Sequence, residues 1–84
     1  MQQPSNMKVT LYTPDWSRSF EAEALFLPGT VAPFEVLPGH APIISSLEAG
    51  TVRWRAVDGG EDSLAVRGGV VRVVSDNVDI CTEV

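Results

Sequence analysis

The stretch Thr51-Val52-Arg53-Trp54-Arg55-Ala56-Val57-Asp58-Gly59-Gly60-Glu61-Asp62-Ser63-Leu64-Ala65-Val66 decides the fold of this chain. Val52, Trp54 and Ala56 alternate with Thr51, Arg53, Arg55 and Val57. A period of two places such residues on opposite faces of a strand, one face buried and the other wet. The acidic, glycine-rich segment Asp58 to Asp62 then separates this run from a second alternating one. For Trp54 and Ala56 to share a face with Leu64 and Val66, Val57 opposes Ser63 and residues 58–62 form the hairpin loop. In that register Arg53 faces Arg67, with Arg55 one pleat step along. Like charges so placed are unfavourable unless acids from another strand or another chain lie between them.

Working outward, the pattern repeats. Gly68-Gly69 interrupts the run between Arg67 and Val70 and marks a corner or bulge. Asp76-Asn77 reads as a tight turn that tolerates positive φ, pairing Val73 with Ile80, Val71 with Thr82 and Arg72 with Cys81. Upstream, Phe20, Ala22, Ala24 and Phe26 point one way, and Glu21, Glu23, Leu25 and Leu27 the other. No window long enough for a helix sustains a 3.6 period. Short alternating strands between turn signals predict an all-β domain, a β-sandwich or barrel. Val52, Trp54, Leu64, Val66, Val71, Val73 and Ile80 are its expected interior.

The chain has 84 residues, which is one domain (1–84), with the polar residues 1–6 expected to be a disordered extension. Its net charge of −5 argues against a nucleic-acid surface, because phosphate binding needs a basic face. The lone Cys81 cannot form an internal disulfide and reads as a small half-buried strand residue. The N-terminus lacks the apolar stretch of a secretory signal, and no apolar run approaches the length of a membrane span.

Catalytic chemistry finds little support. His40 is the only histidine, and neither a second histidine nor a cysteine cluster stands by to complete a metal site. It reads as a loop residue bonded to backbone or touching a partner. Ser45 and Ser46 lack a Gly-x-Ser-x-Gly elbow. There is no phosphate-binding loop and no dinucleotide fingerprint. Glu21 and Glu23 read as a solvated strand face rather than an acid–base pair. The residues therefore imply a non-enzyme with no cofactor, no metal and no small-molecule substrate. One class open to it is a soluble β-sandwich binding a sugar or peptide, with Trp16 and the proline-rich segment as its site.

That segment runs from Pro28 to Pro42 and holds Pro28, Pro33, Pro38 and Pro42. Irregular loops of this length in small domains are commonly functional. Within it, Phe34-Glu35-Val36-Leu37-Pro38-Gly39-His40-Ala41-Pro42-Ile43-Ile44 breaks any regular element, since proline fixes φ and biases the preceding residue to extended geometry. Val-Leu-Pro-Gly-His-Ala-Pro, preceded by Leu27-Pro28-Gly29 and followed by Leu47-Glu48-Ala49-Gly50, resembles the epsilon subunit family of the rotary proton-translocating ATP synthase. Lys8-Val9-Thr10-Leu11-Tyr12-Thr13-Pro14 and Gly68-Gly69-Val70-Val71-Arg72-Val73 with Asp76-Asn77-Val78-Asp79-Ile80 extend the similarity from about Met7 onward.

The resemblance implies a flattened β-sandwich of two mainly antiparallel sheets, non-catalytic, in the central stalk. Its partners would be the gamma subunit and the membrane c-ring, and it would couple ring rotation to ATP synthesis. Gly29, Thr30, Val31, Ala32, Pro33, Phe34 and Glu35 correspond to the loop expected at the c-ring; Thr13, His40 and Ser45 are candidates for contact with gamma. The location implied is the cytoplasmic face of the bacterial inner membrane, held there only through the complex. Ala32 and Pro33 stand where the family has glycine and an acid, and Glu35 replaces a small residue. A carboxylate contact to the ring at Pro33 is then lost, or served by Glu35. The chain stops at Val84 directly after its last strand, so the resemblance implies a short form without the C-terminal helical hairpin, and without that hairpin's inhibition of ATP hydrolysis.

Overall fold

The structure, a computed structural model, describes residues 6–84. Its elements are strands β1 (Met7–Tyr12), β2 (Ser17–Leu27), β3 (Phe34–Val36), β4 (Ile43–Ala56), β5 (Glu61–Val74) and β6 (Asn77–Thr82). The expected extension at residues 1–6 lies outside the described residues except for Asn6, whose amide donates to Glu21 Oε1 at 3.2 Å. The strand order is β1-β6-β5-β4-β2-β3, and a further β1–β2 pairing closes five strands into a ring with β3 attached to β2. Only β1 and β6 run parallel; every other pairing is antiparallel. The all-β class is as expected, but the strands form one closed ladder. Closure is possible because β2, β4 and β5 are long enough to change neighbours along their length.

β5 shows how. Its first half pairs with β4 alone, and from Gly69 to Val74 it takes β6 as a second neighbour. The change happens at Gly68 and Gly69, whose φ values of 137° and 149° are closed to most L-residues. A Cβ on Gly69 would run into the carbonyl oxygen of Cys81. Close by, the amide of Arg67 donates to the Glu83 carbonyl at 2.8 Å, and the Thr82 hydroxyl donates to the Gly68 carbonyl. The glycine pair is thus the corner that the interruption in the sequence pattern foretold.

Both hairpin registers differ from the expected ones by whole pleat periods, β4–β5 by four residues and β5–β6 by two. Arg53 pairs with Ser63 and Trp54 with Asp62, because the β4–β5 loop is tighter than residues 58–62. The Gly59 amide donates to the Ala56 carbonyl at 2.9 Å, the Ala56 amide donates to the Gly60 carbonyl at 2.7 Å, and Gly59 takes φ 90°. This is a type I turn followed by a left-handed glycine, a common three-residue hairpin connection. Arg53 therefore does not face Arg67. At the β5–β6 hairpin the turn is Ser75-Asp76, both at positive φ (50° and 63°), rather than Asp76-Asn77. Val73 then pairs with Val78, Val71 with Ile80 and Arg72 with Asp79. A slide of two residues keeps every side chain on its expected face, and it sets Arg72 opposite an acid.

β2 departs more deeply. Ala22 pairs with Ala56 and Ala24 with Arg55, so a bulge lies between them and the facing parity flips. Before it Ala22 is buried; beyond it Leu25 and Leu27 are inside, and Phe26, expected on the Phe20 face, turns outward. The core unites Met7, Val9 and Leu11 of β1 with Val52 and Trp54 of β4, Val66, Val71 and Val73 of β5, and Val78 and Ile80 of β6. Leu64, expected inside, is only half-buried against this cluster. Each buried Val or Leu contributes about 1.5–3 kcal/mol relative to exposure. The Trp54 ring stacks on Phe20 with centroids 4.4 Å apart, and the Arg18 guanidinium lies over both rings.

Candidate functional site: a braced loop beside an apolar wall

The segment from Pro28 to Pro42 is tied to the barrel at three places. At its base the Glu48 amide donates to the Pro28 carbonyl at 2.9 Å and the Thr30 amide to the Ser46 carbonyl at 3.2 Å, while the Thr30 and Ser46 hydroxyls share a 2.9 Å bond. Gly29 bridges to Leu47 in the same stretch of β4. Glycine is needed at 29, because a Cβ there would stand 2.5 Å from the Ala32 carbonyl oxygen and 2.7 Å from the Phe34 ring. In its middle the segment is held by β3, where Phe34, Glu35 and Val36 pair with Leu27, Phe26 and Leu25.

The third tie is at Leu37-Pro38-Gly39-His40. The His40 amide donates to the Leu37 carbonyl at 3.1 Å and Gly39 has φ 86°. Proline followed by a left-handed glycine is the signature of a type II turn. The Gly39 amide, which such a turn leaves unused, donates to Asp76 Oδ1 at 2.7 Å.

Between base and β3 the loop carries Val31, Ala32 and Pro33, all exposed, with Val31 fully so at 102%. Beside it lies a groove of about 410 Å³ lined by Phe26, Pro28, Pro33, Phe34, Glu35 and Arg53. In register, Glu35 and Arg53 flank Phe26 on this outer face, and the Arg53 guanidinium sits 4.8 Å from the Phe26 ring centroid. Gly29 through Glu35 thus form one contiguous feature.

The three residues expected at gamma are not together. Thr13 closes the β1–β2 turn: its hydroxyl accepts from the Trp16 amide at 3.0 Å and its own amide donates to the Trp16 carbonyl at 2.9 Å. It lies at the end of β1 that pairs with the last residues of β6. His40 lies at the opposite end, beside the β5–β6 turn through the Gly39–Asp76 bond. Its ring Nδ1 donates to the Ala41 carbonyl at 2.7 Å, so the ring is bonded to backbone. Ser45 pairs with buried Val71 and is half-buried on the inward-facing side of β4.

What spans the distance from Thr13 to His40 is a sheet face that sequence reading did not single out. Outward residues of β1, β6, β5 and β4 line up in register as Tyr12–Cys81–Val70–Ser46 and Thr10–Asp79–Arg72–Ile44. Tyr12, Val70 and Val74 are exposed, Ile44 is 75% exposed, and Cys81, expected to be half-buried, is exposed among them. A shallow depression of about 360 Å³ is lined by Tyr12, Ile44, Val70 and Cys81 together with the charged Arg72 and Asp79. The signal was present, since Val70, Val71, Val73 and Val74 supply apolar side chains to both faces of one strand. Among the described residues no group of His, Cys, Asp and Glu is set to hold a metal ion, and no helix is long and apolar enough to cross a membrane.

Residues 6–84 match the family described as the beta-sandwich domain of the ATP synthase delta/epsilon chain. The chain is 38% identical over 63 residues to the ATP synthase epsilon chain of Bordetella petrii, covering 75% of this chain and 45% of that protein. To the epsilon chain of Wolinella succinogenes it is 35% identical over 78 residues, covering 92% of this chain and 60% of that one. It spans about half the length of the curated relatives it matches. Among solved structures, a chain of the Euglena gracilis mitochondrial ATP synthase, in a structure of OSCP, F1 and c-ring, superposes with TM-score 0.90 at 24% identity, over 98% of this chain and 53% of that chain. A chain of the Tetrahymena thermophila mitochondrial ATP synthase central stalk and c-ring gives 0.80 at 19% identity, over all of this chain and 67% of that chain. At these identities the structural likeness speaks to fold.

Proposed function

The chain belongs to the ATP synthase delta/epsilon family through its beta-sandwich domain, and from this we propose that it is a non-catalytic central-stalk subunit that couples c-ring rotation to ATP synthesis. The flattened ring, 38 × 24 × 18 Å, then serves as a two-layered sandwich with a partner on each of two surfaces. The observation that carries the reading is the outward sheet face on which exposed Tyr12, Ile44, Val70 and Val74 surround the register pair Arg72–Asp79, with Thr13 toward one end and His40 toward the other. Exposed apolar faces rimmed by polar residues mark interaction sites, and this one is assigned to gamma. The braced loop, Gly29 through Glu35, is assigned to the c-ring, with Val31 at its tip. Glu35 on the outer face of β3 offers the carboxylate that Pro33 cannot. The subunit then stands at the cytoplasmic face of the inner membrane, held there through its partners.

Titration of gamma with the full chain tests this. Ile44→Glu combined with Val70→Glu puts charges where the apolar contact is assigned, and binding should weaken by on the order of 100-fold or more. Because both residues are exposed, the double variant should keep the parent's thermal stability. Parent-like binding of gamma by a folded double variant would overturn the assignment.

A further inference from the structure

Pro38 stiffens the Leu37–His40 turn from inside, but it does not set how the turn sits against the barrel. One side chain from another turn bonds to this turn directly. Asp76 is the second of the two positive-φ residues in the β5–β6 turn, a position that Asp, Asn or Gly can occupy without much strain. Of these, Asp brings a charged acceptor, and its Oδ1 takes the Gly39 amide at 2.7 Å across 37 residues of sequence. The same residue's carbonyl accepts the Lys8 amide at 2.9 Å. Asp76 therefore joins the start of β1, the β5–β6 turn and the proline turn at one half-buried point. The exposed Leu37 and the half-buried His40 flank Pro38 and Gly39 in that turn, shortly before β4 begins at Ile43 and carries Ile44 on the outward face.

We propose that Asp76 is the positioning residue of the docking surface: its carboxylate holds the Leu37–His40 turn at the edge of the apolar wall, so that gamma meets a face already ordered. The proposal rests on the reading of that wall as the gamma-binding face. The bond is charge-assisted, which makes it stronger than a neutral hydrogen bond. Ordering the turn in advance removes an entropic cost from association, the general benefit of preorganisation.

The test uses the full chain in three forms. Asp76→Gly keeps the positive φ and removes the acceptor; Asp76→Asn keeps the turn with a weaker, neutral acceptor. By amide hydrogen exchange, Gly39 should exchange about 10-fold or more faster in Asp76→Gly and by an intermediate factor in Asp76→Asn. The amides of Val71, Val73 and Ile80 should stay protected in both, which shows that the barrel is intact. Affinity for gamma should fall in the same order, by roughly 10-fold for the glycine variant. Unchanged exchange at Gly39 would overturn the tie itself. Faster exchange with parent-like affinity would overturn the positioning role. His40→Ala and Ile44→Glu, measured beside these, separate the two ideas. If they weaken binding while Asp76→Gly does not, the docking face stands and only the role of Asp76 falls. If none of them weakens binding, the docking assignment falls too.

Discussion

Two glycines with positive φ separate backbone preference from close packing. Gly59 has φ 90° and nothing within 4 Å of where a Cβ would sit. Gly69 has φ 149°, and a Cβ there would collide with the carbonyl of Cys81 on the neighbouring strand. Gly59→Ala should therefore cost only the left-handed penalty, about 1–2 kcal/mol. Gly69→Ala adds a clash with paired backbone that cannot rotate away, and should cost about 3–5 kcal/mol, among the largest single-site losses. Urea unfolding of both variants checks the order. Equal costs would mean that the β5 corner relaxes freely. The sequence marks both positions as glycine; which of them is crowded depends on the β6 strand that arrives later in the chain.

At the scale of elements, β2 carries the sharpest lesson about what the sequence could convey. Alternation from Phe20 to Leu27 reads as one unbroken strand face, because Ala22-Glu23-Ala24 has no glycine or proline to announce a bulge. The bulge is imposed from outside, since β2 must pair with β1 over its first half and with β4 over its second. The hairpins were legible in a different way. Parity assigned the faces of Val52, Trp54, Val66, Val71, Val73 and Ile80 correctly, yet parity is blind to a slide by an even number of residues, and the turns chose the register. Likewise the prolines exposed the loop to view, whereas the apolar wall was hidden among valines that point both ways. The bulge makes a clean prediction. Deleting Glu23 would remove the extra residue, leaving Ala22, Ala24, Leu25 and Phe26 opposite Ala56, Arg55, Trp54 and Arg53 without interruption; Leu25 and Leu27 keep their buried faces, and the chain should still fold. Glu23→Ala keeps the bulge and loses only a half-exposed ion pair to Arg55 at 3.8 Å, so its stability should change by less than about 1 kcal/mol. A deletion variant with no cooperative thermal transition would show that β2 needs the bulge itself to change partners.

For the whole molecule, the central question is whether its two assigned surfaces act separately. They are close in structure: Thr30 at the base of the loop bonds Ser46, and Ser46 lies in the same outward row as Val70 and Tyr12. Both features thus sit on β4 with no flexible joint between them. A rigid body can still have separable contacts, because each interface depends on the side chains it buries. Val31 and Ile44 are both exposed and neither packs in the core, so Val31→Asp and Ile44→Glu should each leave folding stability within about 0.5 kcal/mol of the parent. Ile44→Glu should lose gamma. Val31→Asp should bind gamma as the parent does, yet reconstitute a membrane complex in which ATP hydrolysis drives less proton pumping, because the c-ring contact is the one damaged. The pair is read by gamma affinity in solution and by the ratio of pumping to hydrolysis in vesicles. If Val31→Asp weakens gamma as much as Ile44→Glu does, the loop belongs to the gamma face and the two-surface arrangement is wrong. If neither variant changes the pumping ratio while gamma binding responds as expected, the loop contributes nothing to coupling, and the torque passes through gamma alone.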